Sequence, residues 1–414
     1  MQFHRLGLPV AVALAAAAVG VATYALRPRE GQIEPAEVQP RAYFSDAELD
    51  RAHDFAAPQR VIALTNLALT GAALALFGLR PPRRVRDALA RGRPYRTAAA
   101  AGAALSVALA LVTLPLGAIG HERARDVGLA TQGWGDWLVD VTKADGMSAL
   151  FAAGGAVLLL ALVRRFPRRW WIAGAGALVA IAVGFAYVSP VVLDPIFNKF
   201  QALPDGPLRS DVLALSQRAG VDVGQVYRID ASRRTTAINA YVNGIGHTKR
   251  VVLYDNLIER FSRDQIDSIV AHELGHVRHR DVPRGLLWIL IVAPAGMLLI
   301  QRLSERIAPE GAHLGERRGA ATALALLGVL LALSLVGFAA EIASNSLSRA
   351  VEASADAHAL NLTRDPAAFI EVERRLAVDN VSEPDPPGWT QFLFGTHPTT
   401  KDRIGAGLAW AREH

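Results

Sequence analysis

The stretch Asp264–Ile300, DQIDSIVAHELGHVRHRDVPRGLLWILIVAPAGMLLI, joins two kinds of sequence. Over Asp264–His279 the apolar residues Ile266, Ile269 and Val270 recur at the spacing of an amphipathic helix, with polar residues between them. From about Gly285 to Ile300 the chain carries no charge and is apolar enough for a bilayer. That segment is short for the roughly 20 residues a crossing helix needs, and it contains Pro294. A half-wet helix therefore runs straight into a membrane span.

Six more apolar stretches run over about Leu6–Leu26, Val61–Leu79, Thr97–Gly120, Met147–Val163, Trp170–Leu193 and Gly319–Ile342. Seven such helices are too many to hide in a water-soluble core, so the sequence predicts an integral membrane protein. Composition agrees: the 414 residues are 51% hydrophobic with a mean hydropathy of +0.24, which excludes a disordered chain. The absence of cysteine removes disulfides, thiol catalysis and thiolate metal ligands, and leaves the redox compartment undetermined. The formal net charge is +6, and only Lys143, Lys199, Lys249 and Lys401 are lysines. Arginine in an alanine- and glycine-rich background is the usage of a GC-rich bacterial genome, which predicts the bacterial cytoplasmic membrane. The arginines gather at the ends of apolar runs with no interleaved aromatics, so membrane topology explains them and no nucleic-acid partner is expected. Met1–Arg5 ahead of the first apolar run also fits a cleavable signal peptide.

Residues 1–193 thus read as a five-span membrane domain, and residues 194–414 as the domain that holds the chemistry, including the spans at about 285–300 and 319–342. Polar connections are expected at Arg27–Arg60 and Asp194–Arg284, followed by a polar segment from Ala343 to His414. Within the second connection a helix is predicted over Leu208–Ala219 and a strand over Gln225–Asp230. Ala240–Asn243 and Arg250–Tyr254 flank Gly244–Lys249 as a hairpin.

His272-Glu273-Leu274-Gly275-His276 forms an H-E-x-x-H motif on the Asp264–His279 helix. Histidines at i and i+4 share one face and can grip one Zn²⁺, with the intervening glutamate within reach of a water on that ion. A catalytic zinc needs a third protein ligand and an open position. His279 is a poor third ligand, because three residues of one straight helix rarely converge on a tetrahedral ion. Beyond the last span, Ser348–Asp356 continues helically with Arg349, Glu352 and Asp356 one turn apart. Read alone, these three describe a solvated helix face. Beside H-E-x-x-H, Glu352 becomes the candidate ligand, Asp356 an acceptor for a ligand histidine, and Arg349 an anchor for carboxylates or a substrate contact.

His272–His276, Glu352 with Asp356, Asn239-Ala240-Tyr241 before Arg250–Asp255, Asp194–Lys199, and His397-Pro398 with Arg403-Ile404 together resemble the type I CAAX prenyl protease family. The resemblance runs from the fifth span almost to the C-terminus, and matches the first four spans more loosely through their number and the Gly133–Asp140 region. It implies a mainly α fold, a seven-span helical membrane protein whose helices surround a chamber, with a zinc metalloprotease domain carrying a small β-sheet. It makes His272, His276 and Glu352 ligands of one zinc per chain, Glu273 the general base, and Asp356 a support behind a ligand. Asn239 and His397 become substrate or transition-state contacts. The expected partners are a peptide or protein substrate and the lipid bilayer. An extended substrate could add a strand along Ala240–Asn243, with Ala240 and Tyr241 supplying backbone contacts. Membrane-associated, prenylated or misfolded proteins are candidate substrates. A non-catalytic metal-stabilised scaffold or chaperone is the alternative, and it leaves Glu273, His397 and an open metal position idle.

Charge predicts the side. Arg80, Arg83, Arg84, Arg86, Arg91, Arg93 and Arg96 crowd the connection after the second span, and Arg164, Arg165, Arg168 and Arg169 the one after the fourth. Basic short loops stay cytoplasmic. The loop between spans three and four carries Glu122, Asp126, Asp136, Asp140 and Asp145 against three basic residues, as an outside loop does. Alternation then places Asp194–Arg284 and the C-terminal segment outside the cytoplasm, whereas the family resemblance implies a cytosolic site.

Overall fold

The computed structural model describes residues 7–29, 31–80, 82–84, 87, 93–244, 249–307 and 319–414, with side chains described from 326 onward in the last range. Met1–Arg5, Arg86, Arg91 and the hairpin residues 245–248 lie outside the described residues.

In chain order the elements are α1 (Leu8–Leu26), α2 (Asp46–Leu79), α3 (Pro94–Asp126), α4 (Trp134–Arg165), α5 (Trp170–Val192) and the short α6 (Asp194–Phe197). Then come β1 (Phe200–Ala202), α7 (Pro207–Arg218), β2 (Gln225–Ile229), β3 (Ala240–Asn243), β4 (Arg250–Tyr254), α8 (Asp255–Arg260) and α9 (Arg263–Arg278). The chain ends with α10 (Asp281–Ile307), α11 (Gly319–Thr363), α12 (Pro366–Asp379), α13 (Gly388–Phe394) and α14 (Thr400–Glu413). Among the described residues seven helices are long and apolar enough to cross a membrane, at the seven places expected from sequence. Large apolar side chains such as Leu150 and Val191 are 71% and 67% exposed, which is tolerable only in lipid. The spans meet along narrow seams. At one of them a Cβ on Gly102 would stand 2.5 Å from the Ala152 carbonyl oxygen, so only glycine lets α3 approach α4 so closely.

Several helices outrun their apolar cores. α2 begins at Asp46, inside the expected polar connection, because a capping box starts it: the Glu48 N–H donates to Ser45 Oγ, and the Ser45 N–H donates to the Glu48 carboxylate at 2.8 Å. The expected acidic loop between spans three and four is in fact two helix ends. Glu122 and Asp126 close α3, while Asp136, Asp140 and Asp145 open α4, and only residues 127–133 link them. Hydropathy registers the lipid-facing part of a helix and not its polar continuation. These continuations hold the sheet region in place: Arg234 Nε donates to Asp140 Oδ2 at 2.6 Å, and the Thr131 and Thr236 N–H groups donate to the Arg234 and Leu129 carbonyls.

The sheet has the order β1-β2-β4-β3, with β2 and β4 parallel and β3 antiparallel to β4. Asn243 faces Arg250, closing the hairpin at the expected strand limits. β1 and β3 are the two edge strands, and β3 is the one that borders α9. One sheet face packs Val226, Val251 and Leu253 onto Leu257 of α8 and Ile266, Val270 and Leu274 of α9. α11, at 45 residues, spans about 68 Å, far more than a bilayer's hydrocarbon core requires. Its excess projects beside α9, where a Cβ on Gly275 would meet Ala355 Cα at 3.2 Å.

Candidate metal centre

α9 starts at a second capping box, in which Ser262 and Gln265 exchange hydrogen bonds. With Ile266, Val270 and Leu274 committed to the core, His272 and His276 turn toward α11. The helix ends at Arg278, with His279 as its C-cap, because Arg280 takes a left-handed conformation, with φ of 58°, and α10 starts at the next residue. That one-residue reversal returns Asp281 to His276, placing Oδ2 2.9 Å from Nδ1.

From α11, Asp356 Oδ1 approaches His272 Nδ1 at 2.8 Å, and Glu352 Oε2 lies 3.2 Å from His272 Nε2. Glu352 Oε1 is 3.7 Å from His276 Nε2, and the two Nε2 atoms are 3.1 Å apart. Ionised carboxylates only accept hydrogen bonds, so Asp356 and Asp281 fix a proton on each Nδ1 and leave each Nε2 lone pair facing the other. Among the described residues Glu352 Oε2 is buried there without a hydrogen-bond partner. Electron-pair donors converging without protons repel one another unless a cation joins them. A tetrahedral ion with bonds of about 2.0–2.1 Å would hold its ligand atoms roughly 3.4 Å apart, and the observed separations bracket that value. The site also favours positive charge. Burial works against a charged His272, but Asp356 and Glu352 outweigh it and push its pKa up to about 10.

Glu273 is the neighbour of His272 and lines the adjacent cleft; burial pushes its carboxyl upward against the pull of both histidines. The cleft holds about 410 Å³ and is lined by Asn239, Ala240, Glu273, His397 and Arg403 among others. His397, 58% exposed at its mouth, brings Nε2 within 3.3 Å of Glu352 Oε2. Tyr241 is turned away from the cleft and packs with Ile229 and Val252 on the opposite sheet face, so only its backbone belongs to the β3 edge. Among the described residues Arg349 pairs with no carboxylate. Its Nη1 donates to the Gln391 and Gly395 carbonyls at 3.2 and 2.6 Å, bracing the segment that presents His397. His279 is outside the ligand group, with Nδ1 3.2 Å from Ser354 Oγ.

Three residues reach the centre with no role expected from sequence. Arg403 of α14 holds Asp356 through Nε at 2.9 Å and Nη2 at 2.5 Å, and its Nη1 lies 2.7 Å from Glu373 of α12. Asp281 backs His276. An acid five residues after the second histidine was a signal for it. Arg403 and Glu373 have no local signal, because Arg403 meets Asp356, and Glu373 meets Arg403, only through folding.

Residues 202–411 match peptidase family M48. The uncharacterized metalloprotease YhfN of Bacillus subtilis (strain 168) is 32% identical over 300 residues, 72% of this chain and 70% of that one. A CAAX prenyl protease 1 homolog of Oryza sativa subsp. japonica is 30% identical over 240 residues, 56% of this chain and 54% of its own. The crystal structure of S. mikatae Ste24p superposes with a TM-score of 0.73 at 20% identity, covering 97% of this chain and 98% of that one.

Proposed function

The chain belongs to peptidase family M48 and is a membrane-embedded metalloendopeptidase, and from that premise we propose that His272, His276 and Glu352 hold one zinc ion that serves hydrolysis of membrane-associated or misfolded proteins, prenylated ones included. The observation that carries the proposal is the convergence of two Nε2 lone pairs and the Glu352 carboxylate, with both Nδ1 positions already tied to acids. Two imidazoles and a carboxylate with no thiolate are a catalytic zinc set. Zinc bound by such a set lowers the pKa of water and polarises a carbonyl oxygen.

In this reading the chain's own groups do the rest. The Glu273 carboxylate takes the proton of the attacking water and delivers it to the leaving amide nitrogen as the C–N bond breaks. The upward push on its pKa suits it to both transfers. His397 donates from Nε2 to the oxygen on which negative charge develops. The substrate lies extended against the edge of β3, where Ala240 and Tyr241 offer main-chain groups, and Asn239 contacts it at the cleft. Recognition through backbone supports tolerance of sequence. We read residues 1–193 as the membrane domain and 194–414 as the peptidase domain, in the bacterial cytoplasmic membrane with the site facing out of the cytoplasm.

Metal analysis of purified protein tests the core of this proposal. About one zinc per chain is expected, retained in Glu273→Gln with loss of turnover, and reduced together with turnover in His272→Ala and Glu352→Ala. Full zinc content in Glu352→Ala would move the third ligand elsewhere.

A further inference from the structure

A cavity of about 640 Å³ lies apart from the catalytic cleft and shares none of its lining residues. Arg27 and Arg29 enter it just beyond α1, His279 and Arg284 from the α9–α10 turn, and Ser354 and His358 from α11. Its described lining contains three guanidinium groups and two imidazoles. His358 Nε2 is buried without a hydrogen-bond partner among the described residues. The rings of His279 and His358 meet edge to face at 5.4 Å. Such a lining is built for an anion.

The cavity's height in the molecule narrows the choice of anion. Trp288 Nε1–H donates to Thr23 Oγ1 at 3.1 Å, tying the last turn of α1 to the start of the α10 span. Arg27, Arg29 and Arg284 therefore stand level, where two apolar helices end. Tyr24 is 74% exposed at the same level, with the Arg29 guanidinium 5.6 Å from its ring centroid, a pairing typical of a membrane surface. Basic pockets between membrane helices at that depth recognise phosphate headgroups.

We propose that this cavity binds a phosphate group at the membrane surface, on an anionic lipid or as the free ion, through Arg27, Arg29 and Arg284. Arg284 also donates to Asp281, the carboxylate behind His276, so it is left unchanged in the test. The full chain in detergent is titrated by native mass spectrometry with phosphatidylglycerol and with phosphatidylcholine of the same acyl chains. Wild type should bind one phosphatidylglycerol in preference to phosphatidylcholine. Arg27→Gln with Arg29→Gln should bind it about thirtyfold more weakly, with metal content and peptidase turnover unchanged as proof of fold. Displacement by inorganic phosphate identifies the headgroup phosphate as the recognised group, and phosphate binding without lipid preference assigns the site to the free ion. Equal binding by wild type and double variant, or binding of neither phosphatidylglycerol nor phosphate by wild type, overturns the proposal.

Discussion

Arg403 faces two buried carboxylates and can neutralise only one of them. Asp356 makes two hydrogen bonds to it as well as the contact with His272, while Glu373 has a single contact and is pushed up by burial, against the pull of Arg403, to about 7. A carboxyl raised from an ordinary 4.5 stabilises the fold below that value, and the contribution disappears as pH rises through 7. Glu373→Gln keeps an acceptor for Arg403 without the surplus charge. It should flatten the fall in melting temperature between pH 5 and 8 and melt no lower than wild type at pH 8. An equal drop at both pH values would mean that Glu373 is ionised throughout. Asp281→Asn tests the other side of the centre: it should weaken zinc affinity by about 10- to 100-fold, read by chelator competition, because the His276 tautomer is no longer fixed. At this scale the proposed ligands were readable from sequence as candidates, His272 and His276 by helical spacing and Glu352 only once set beside H-E-x-x-H. Of the groups behind them, Asp356 was readable from its place one turn past Glu352, whereas Arg403 was not, since it is 47 residues from Asp356 and 131 from His272.

α9 and β3, two of the elements that line the cleft, differ in how they contribute. α9 offers side chains from one helical face, whereas β3 offers an unpaired main-chain edge whose side chains alternate, Ala240 toward the α9 core and Tyr241 to the far face. If β3 pairs with substrate, a proline beside the scissile bond removes a ladder donor and should suppress cleavage far more than side-chain changes at the same position. Mass spectrometry of matched peptides checks this, and equal cleavage of the proline peptide would exclude strand addition. The strand limits of β3 and β4 followed from the alternation around the hairpin. Ends of the long helices did not, because the capping box at Ser45 and polar turns past the lipid carry no hydropathy signal.

The whole molecule has two ends, and the connectivity assigns every charged connection to one of them. α2 and α4 lead from the metal-centre end to connections at residues 80–93 and 166–169, and α3 and α5 return from them. The described arginines Arg80, Arg83, Arg84, Arg93 and Arg96, with Arg164, Arg165, Arg168 and Arg169, therefore lie at the end opposite the metal centre. The acids that the sequence assigned to an outer loop lie at the metal-centre end, although on helix extensions tied to the sheet region. Each basic residue left on the wrong side of a short connection opposes insertion, so these nine arginines support the proposed orientation, with their end in the cytoplasm. In a bacterial host, alkaline phosphatase fused at His414 should be active and the same fusion truncated after Arg168 inactive, with a fluorescent protein that folds only in the cytoplasm giving the reverse. Fluorescence at His414 together with phosphatase activity after Arg168 would place the metal centre in the cytoplasm, and the arginines would then need partners outside it to explain their clustering.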